Sequence, residues 1–188
     1  MKPAMSEWQL GSFAGLDDRA LAEAVVARFQ AIRDDNFTDN PDINPTLGIE
    51  VRALRRLDGW RIFLILTPWM LARIFLAERD PGMTIAREWQ AAARTDAPYV
   101  VIGPALKLTL VGGDQLAHLN YDRSLGHYLV QPLVQTMDKF TSADAVFQAW
   151  NEVIATRQRV MEEQQRDCPW QRELSRREFF TRFPGRKA

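Results

Sequence analysis

The stretch Ile49-Glu50-Val51-Arg52-Ala53-Leu54-Arg55-Arg56-Leu57-Asp58-Gly59-Trp60-Arg61-Ile62-Phe63-Leu64-Ile65-Leu66-Thr67 decides the fold. Leu47, Ile49, Val51 and Ala53 alternate with other residues, the period of a strand with one buried face. Asp58-Gly59 tolerates the positive φ angles of a tight hairpin. The returning run from Trp60 is apolar on nearly both faces, which predicts a central strand. Pro68 has no N–H for a ladder and ends the pairing. An antiparallel hairpin, 49–57 with 60–67, therefore anchors a sheet.

Working outward, residues 1–16 read as a loose lead-in, with Trp8, Leu10, Phe13 and Leu16 scattered among glycines. Asp17 offers a carboxylate to the free amides of a helix start. Leu21, Val25, Phe29 and Ile32 then follow at threes and fours, predicting a helix over 18–34. Residues 34–46 are rich in Asp, Asn and Pro and read as a loop. Beyond the hairpin, a turn stands at Asp80-Pro81-Gly82, and Thr84 caps a short helix with Ile85, Trp89 and Ala92 on one face. Tyr99–Ile102, Leu106–Val111 and His127–Val134 read as strands, with a turn at Gly112-Gly113 and Pro132 marking an edge or bulge. Thr141 and Asp144 resemble a capping box opening a long helix to about 166, which Cys168-Pro169 stops. No regular crossover helices separate the strands. The fold class is α+β: an antiparallel β-sheet with an N-terminal helix and a long C-terminal helix packed on it. The expected organisation is a single domain over 1–168 and a basic tail over 169–188.

The 188 residues carry 24 Lys+Arg and 24 Asp+Glu, so no global field attracts nucleic acid or an acidic membrane. One cysteine, Cys168, excludes an internal disulfide and any cysteine-rich metal site. No apolar run reaches the length of a membrane helix, and Met1–Glu7 lacks the apolar core of a signal peptide, so a cytoplasmic location is expected.

Catalytic constellations are scarce. His118 and His127 lie nine residues apart, which fits no helical metal pair, and no nucleophile elbow, P-loop or dinucleotide fingerprint occurs. The adjacent carboxylates at 17–18, 34–35 and 162–163 read as caps, loops and solvated helix surface rather than a sheltered acid–base dyad. Cys168 has only Arg166 as a local cation and reads as a partly buried thiol. No enzyme and no cofactor or metal is expected.

Two segments stand out. Thr67-Pro68-Trp69-Met70-Leu71 follows the apolar strand directly. On spacing alone it caps the core; protruding, it would form a peptide-binding wall, since Trp and Met are enriched at interfaces. In the C-terminal stretch 172–188, six basic residues against Glu173 and Glu178 give a net +4, so residues 1–171 carry −4. Within it Ser175-Arg176-Arg177-Glu178-Phe179 has the form of the twin-arginine export box, without the apolar stretch that follows a true signal.

These residues resemble the HybE/HupJ family of nickel–iron hydrogenase assembly chaperones. The likeness rests on Asn44-Pro45-x-Leu47-x-Ile49-Glu50-Val51, on Gly59-Trp60 through Leu64 to Thr67-Pro68-Trp69-Met70-Leu71, on Leu125-Gly126-x-Tyr128 with Leu133, Met137 and Phe140, and on Ser175-Arg176-Arg177-x-Phe179. The family's Cys-Ser-Leu-Phe-Ser-Pro-Met run is replaced by Gln131-Pro132-Leu133-Val134-Gln135-Thr136-Met137, which marks a divergent branch. The resemblance implies a non-catalytic chaperone that holds an immature hydrogenase subunit or its twin-arginine signal peptide. It also implies partner-binding residues Thr67, Pro68, Trp69, Met70, Leu71, Tyr128, Ser175, Arg176, Arg177 and Phe179. Such a ligand calls for a groove with an apolar floor and carboxylates at the rim. Two other readings stay open: a small-ligand-binding or redox accessory protein of sulfur metabolism using Cys168 or a sheet-side pocket, and an interaction subunit whose basic tail docks on an acidic partner.

Overall fold

A computed structural model describes residues 7–166. It contains helix α1 (Asp18–Asn36), strands β1 (Glu50–Leu57), β2 (Trp60–Thr67) and β3 (Met70–Ala77), a short helix α2 (Ala91–Arg94), strands β4 (Ala105–Leu110), β5 (Gly113–Asp122) and β6 (Gly126–Val134), and helix α3 (Ala143–Arg166). The strands form one antiparallel sheet in the order β1-β2-β3-β6-β5-β4. The fold is thus α+β, with a helix at each end of the described chain. The chain divides into two compact units between Val146 and Phe147, inside α3.

Asp58 and Gly59 turn β1 into β2 with φ of 54° and 80°, the left-handed region that the dipeptide tolerates. The next turn has no such signal. Thr67 and Met70 pair directly, and Pro68-Trp69 make the two-residue connection into β3. β2 and β3 are buried on both faces, which is why their sequences run apolar without alternation.

One face of the sheet packs under α1. Leu21, Val25, Phe29 and Ile32 meet Phe63, Ile65, Ala72, Ile74, Tyr128 and Val130. Burying each large side chain contributes about 1.5–3 kcal/mol, so this stripe is the main stabilising contact of the helix. Asp17 caps it, its side chain accepting the Ala20 N–H at 2.8 Å. The other face gathers Trp60, Ile62, Phe75, Leu119 and Leu129 beneath Trp8 and Ile85, with Trp8 and Trp60 meeting edge-on at 5.7 Å.

Several expectations are corrected. Residues 7–16 are a strap, not a loose lead-in: Leu10 bridges Gly126, and Gln9 and His127 exchange two hydrogen bonds of 2.8 Å. Gly126 admits this contact because a Cβ there would stand 2.3 Å from the Gln9 carbonyl oxygen. The segment Tyr99–Ile102 is not a strand. The Asn120 side-chain amide donates to the Val100 and Val101 carbonyls and holds it as an irregular crossing. The helix expected near Thr84 is a 3-10 turn at Arg87–Trp89 followed by α2. Ser142, not Thr141, caps α3, its Oγ accepting the Ala145 N–H at 3.2 Å. Pro132, by contrast, stands as expected of a bulge: the β3–β6 register shifts at it, which lets an interior strand carry it.

Candidate functional site

The C-terminus of α1 and the β2–β3 turn together build a groove of about 230 Å³. Phe37, Ile43, Pro45 and Pro68 give it an apolar floor, and Arg33, Asp34, Thr38 and Asp39 complete the lining. α1 stops here through local bonds. The Phe37 N–H donates to Arg33 O at 2.8 Å, and the Thr38 hydroxyl donates to Asp34 O at 2.6 Å. Asp39 then takes φ 63°, which swings the chain out of the helix. Asn40 accepts the Asp42 N–H at 2.8 Å, an Asx turn that returns it to the sheet.

Asn44 fastens this loop. Its backbone N–H donates to Pro68 O at 2.9 Å. Its side-chain amide donates to Met137 O at 2.8 Å and Phe140 O at 2.7 Å. Its Oδ1 accepts from the Thr46 N–H and hydroxyl, at 3.0 and 2.6 Å. Asn44-Pro45, the Thr67–Leu71 stretch and the Met137/Phe140 stretch are distant in sequence, and they meet at this one buried amide.

The structure corrects the idea of a protruding Trp-Met-Leu wall. Thr67, Met70 and Leu71 are at most 1% exposed and Trp69 is 8% exposed. The tight turn folds Trp69 back under Phe37, whose ring stacks on it at 4.3 Å and 13°. Phe37 therefore lines the groove, and Trp69 is its support. Pro68 alone of the five lines the groove. Tyr128 does not join it. It pairs with Leu76, at the far end of β3 from Met70, and is 1% exposed. Burial raises its phenol pKa and that of Tyr99. Ser175, Arg176, Arg177 and Phe179, like Cys168, lie outside the described residues.

Charge distinguishes this groove. Residues 33–45 hold Arg33 against Asp34, Asp35, Asp39 and Asp42, a net −3. Arg33 is committed to Asp34 at 2.8 Å; Asp39 and Asp42 are exposed with no ion pair among the described residues, whereas Asp35 lines a neighbouring cleft together with Arg28. That cleft, of about 480 Å³ beside Tyr99, contains Asp122. There the carboxylate already accepts from Arg28 at 2.8 Å and from the Ser124 and Leu125 amides. Phe37, Ile43, Asp39 and Asp42 escaped the sequence reading because Asp, Asn and Pro signal a loop. The density of carboxylates around one aromatic residue was the available clue. Among the described residues, no group of three His, Cys, Asp or Glu is placed to hold a metal ion, and no helix is long and apolar enough to cross a membrane.

Comparison with known proteins gives the following. No curated protein sequence matches the chain. The solution structure of HybE from Escherichia coli aligns over 82% of this chain and 81% of that one, at 16% identity and a TM-score of 0.47. The NiFe-hydrogenase assembly chaperone HybE family matches residues 20–182, from α1 through the last stretch that carries the resemblance. With most of its length so matched, the chain belongs to the HybE family of NiFe-hydrogenase assembly chaperones.

Proposed function

We propose that this chaperone holds a hydrogenase precursor in the cytoplasm, without catalysis, by gripping the twin-arginine signal of the unfinished subunit in the groove beside Pro68. The observation that supports it is the pairing of an apolar floor with the unpaired carboxylate of Asp39 in the lining, and with that of Asp42 three residues on in the same loop. A twin-arginine signal presents two guanidinium groups followed by an apolar side chain. The groove takes the apolar side chain against Phe37, and the rim carboxylates meet the arginines. Exposed ion pairs contribute only about 0.2–1 kcal/mol each, so the charges select the ligand and the apolar contact holds it. The chain's own Ser175-Arg176-Arg177-Glu178-Phe179 repeats the ligand chemistry and competes for the same groove, which lowers apparent client affinity by the fraction of time it is bound.

Titration of a labelled twin-arginine peptide tests the reading. Asp39→Asn/Asp42→Asn should weaken binding by roughly 2–30-fold, about 0.4–2 kcal/mol for two charges. Phe37→Ala should weaken it further, and raising the salt should weaken the native protein more than the double variant. Unchanged affinity in both variants would place the signal elsewhere.

A further inference from the structure

The opposite charge stands unpaired on the sheet itself. Arg55 on β1 pairs with Ile62, and Arg73 on β3 pairs with Leu64 on β2 and Gln131 on β6. Residues paired across strands share a face, and so do Ile62 and Leu64, two apart on one strand. Arg55, Leu64, Arg73 and Gln131 therefore lie on one face, the face that carries Trp60 and Phe75, together with Arg52, which pairs with Leu64. Leu64, Arg73 and Gln131 are half-buried, and Arg55 is exposed.

The fold neutralises the other arginines of this hairpin. Arg52 meets Glu50 at 2.7 Å and Asp144 at 2.9 Å. Arg56 meets Asp18 and Glu78, and Arg61 meets Glu78. Among the described residues, Arg55 and Arg73 have no carboxylate partner. The Arg73 guanidinium donates to Gln131 Oε1 at 2.9 Å. Gln131 in turn donates to Leu116 O at 3.2 Å, which fixes the amide. Burial and the nearby Arg55 charge both lower the pKa of Arg73. Packing alone does not ask for this arrangement: a half-buried guanidinium without a counter-charge costs stability that an apolar or amide side chain at that place would not.

We propose that this strip docks an acidic segment of a protein partner, with carboxylates on the two uncompensated arginines, Arg55 and Arg73, and an apolar side chain against Leu64, beside Arg73 and diagonal to Arg55. The planar guanidinium of Arg73, steadied by Gln131, is suited to a bidentate carboxylate. A nucleic acid would call for a longer basic stripe, whereas here there are two uncompensated cations on a chain of zero net charge. The strip is separate from the signal groove and of opposite sign, so it stands or falls independently of the signal reading. Together the two surfaces would let one chaperone hold a client at a cationic and an anionic segment.

The test uses the full-length protein, labelled with nitrogen-15 and titrated with an acetylated, amidated (Glu-Leu)4 peptide. The expected result is movement of the arginine Nε–H and Gln131 side-chain signals. R55Q, at an exposed site where folding is not at stake, and R73Q should each weaken binding about 10-fold or more. R123Q, an exposed arginine outside the strip, should leave the affinity within about 2-fold, and a (Gln-Leu)4 peptide should not bind. Equal loss in R123Q, or no loss in R55Q, overturns the proposal. Tighter binding of a single-stranded RNA 12-mer overturns it in favour of a polyanion site. Tighter peptide binding by E162Q/E163Q overturns it in favour of the chain's own acidic helix as occupant.

Discussion

Thr67→Val removes one oxygen and keeps the shape of the side chain. In the native turn the Met70 N–H donates to Thr67 Oγ1 at 3.1 Å, and the same hydroxyl donates to Met70 O at 3.0 Å. Both residues are buried, at 0% and 1% exposure, so water cannot replace what valine lacks. A hydrogen bond between buried neutral groups contributes about 0.5–1.5 kcal/mol, and a buried donor left unmatched costs about 1–3 kcal/mol. A loss near 2 kcal/mol is expected, or roughly 4–8 °C in melting temperature for a chain of this size. Thr67→Ser is the control, because it keeps the hydroxyl and deletes a methyl worth about 1 kcal/mol. Urea unfolding of the three proteins, followed by tryptophan fluorescence, should rank them native, Ser, Val. Pro68 O accepts the Asn44 N–H, so the same loosening should reach the groove and weaken the twin-arginine peptide at a temperature where the variant remains folded. A valine variant within about 0.5 kcal/mol of native, or one more stable than the serine variant, would refute the latch described here.

His127 should make the fold acid-sensitive. It is fully buried, and desolvation lowers its pKa against the opposing effect of its bond to Trp89 O. The unfolded chain therefore takes up the proton first as pH falls, and stability should drop below about pH 6.5 and be level above it. Urea midpoints at pH 7.5 and 5.5 should show this loss in the native protein and a smaller one in His127→Gln; a gain on acidification would contradict the neutral, strap-holding imidazole. Arg176→Ala/Arg177→Ala should tighten a twin-arginine peptide by relieving the internal competitor, and equal or weaker binding means that the mimicry does not occur.

The β1–β2 hairpin was legible because each signal in it is local. Alternation marks the entry as far as Val51 and fails at Ala53, which is exposed at φ 55° where the register shifts between Arg52 and Arg55, and Asp58-Gly59 supplies the positive φ angles of the turn. β3 was not legible as a strand. Met70–Ala77 is buried on both faces, so alternation is erased, and the Pro68-Trp69 turn carries neither glycine nor asparagine. β5 was missed for a related reason: Gly113–Asp122 begins at an exposed tip and becomes buried only toward its end. α1 matched its stripe because all four of its buried positions face one sheet surface. The groove lay beyond local reading altogether. Phe37 and Pro68 are brought together by Asn44, whose bonds span 93 and 96 residues, and no periodicity announces such a contact.

The strand order β1-β2-β3-β6-β5-β4 joins two three-stranded meanders along the single seam between β3 and β6. Within each meander the strands are chain neighbours, so loop closure is cheap and pairing is fast; the seam must wait for its distant half. On the ribosome, β3 emerges about 60 residues ahead of the end of β6, an interval of roughly 3–12 s at ordinary elongation rates. During that interval one edge of Met70–Ala77, apolar on both faces, has no strand to pair with. Substitutions along the seam, at Ile74 or Val130, would then slow folding and lower the yield of folded chaperone before they changed its affinity for anything.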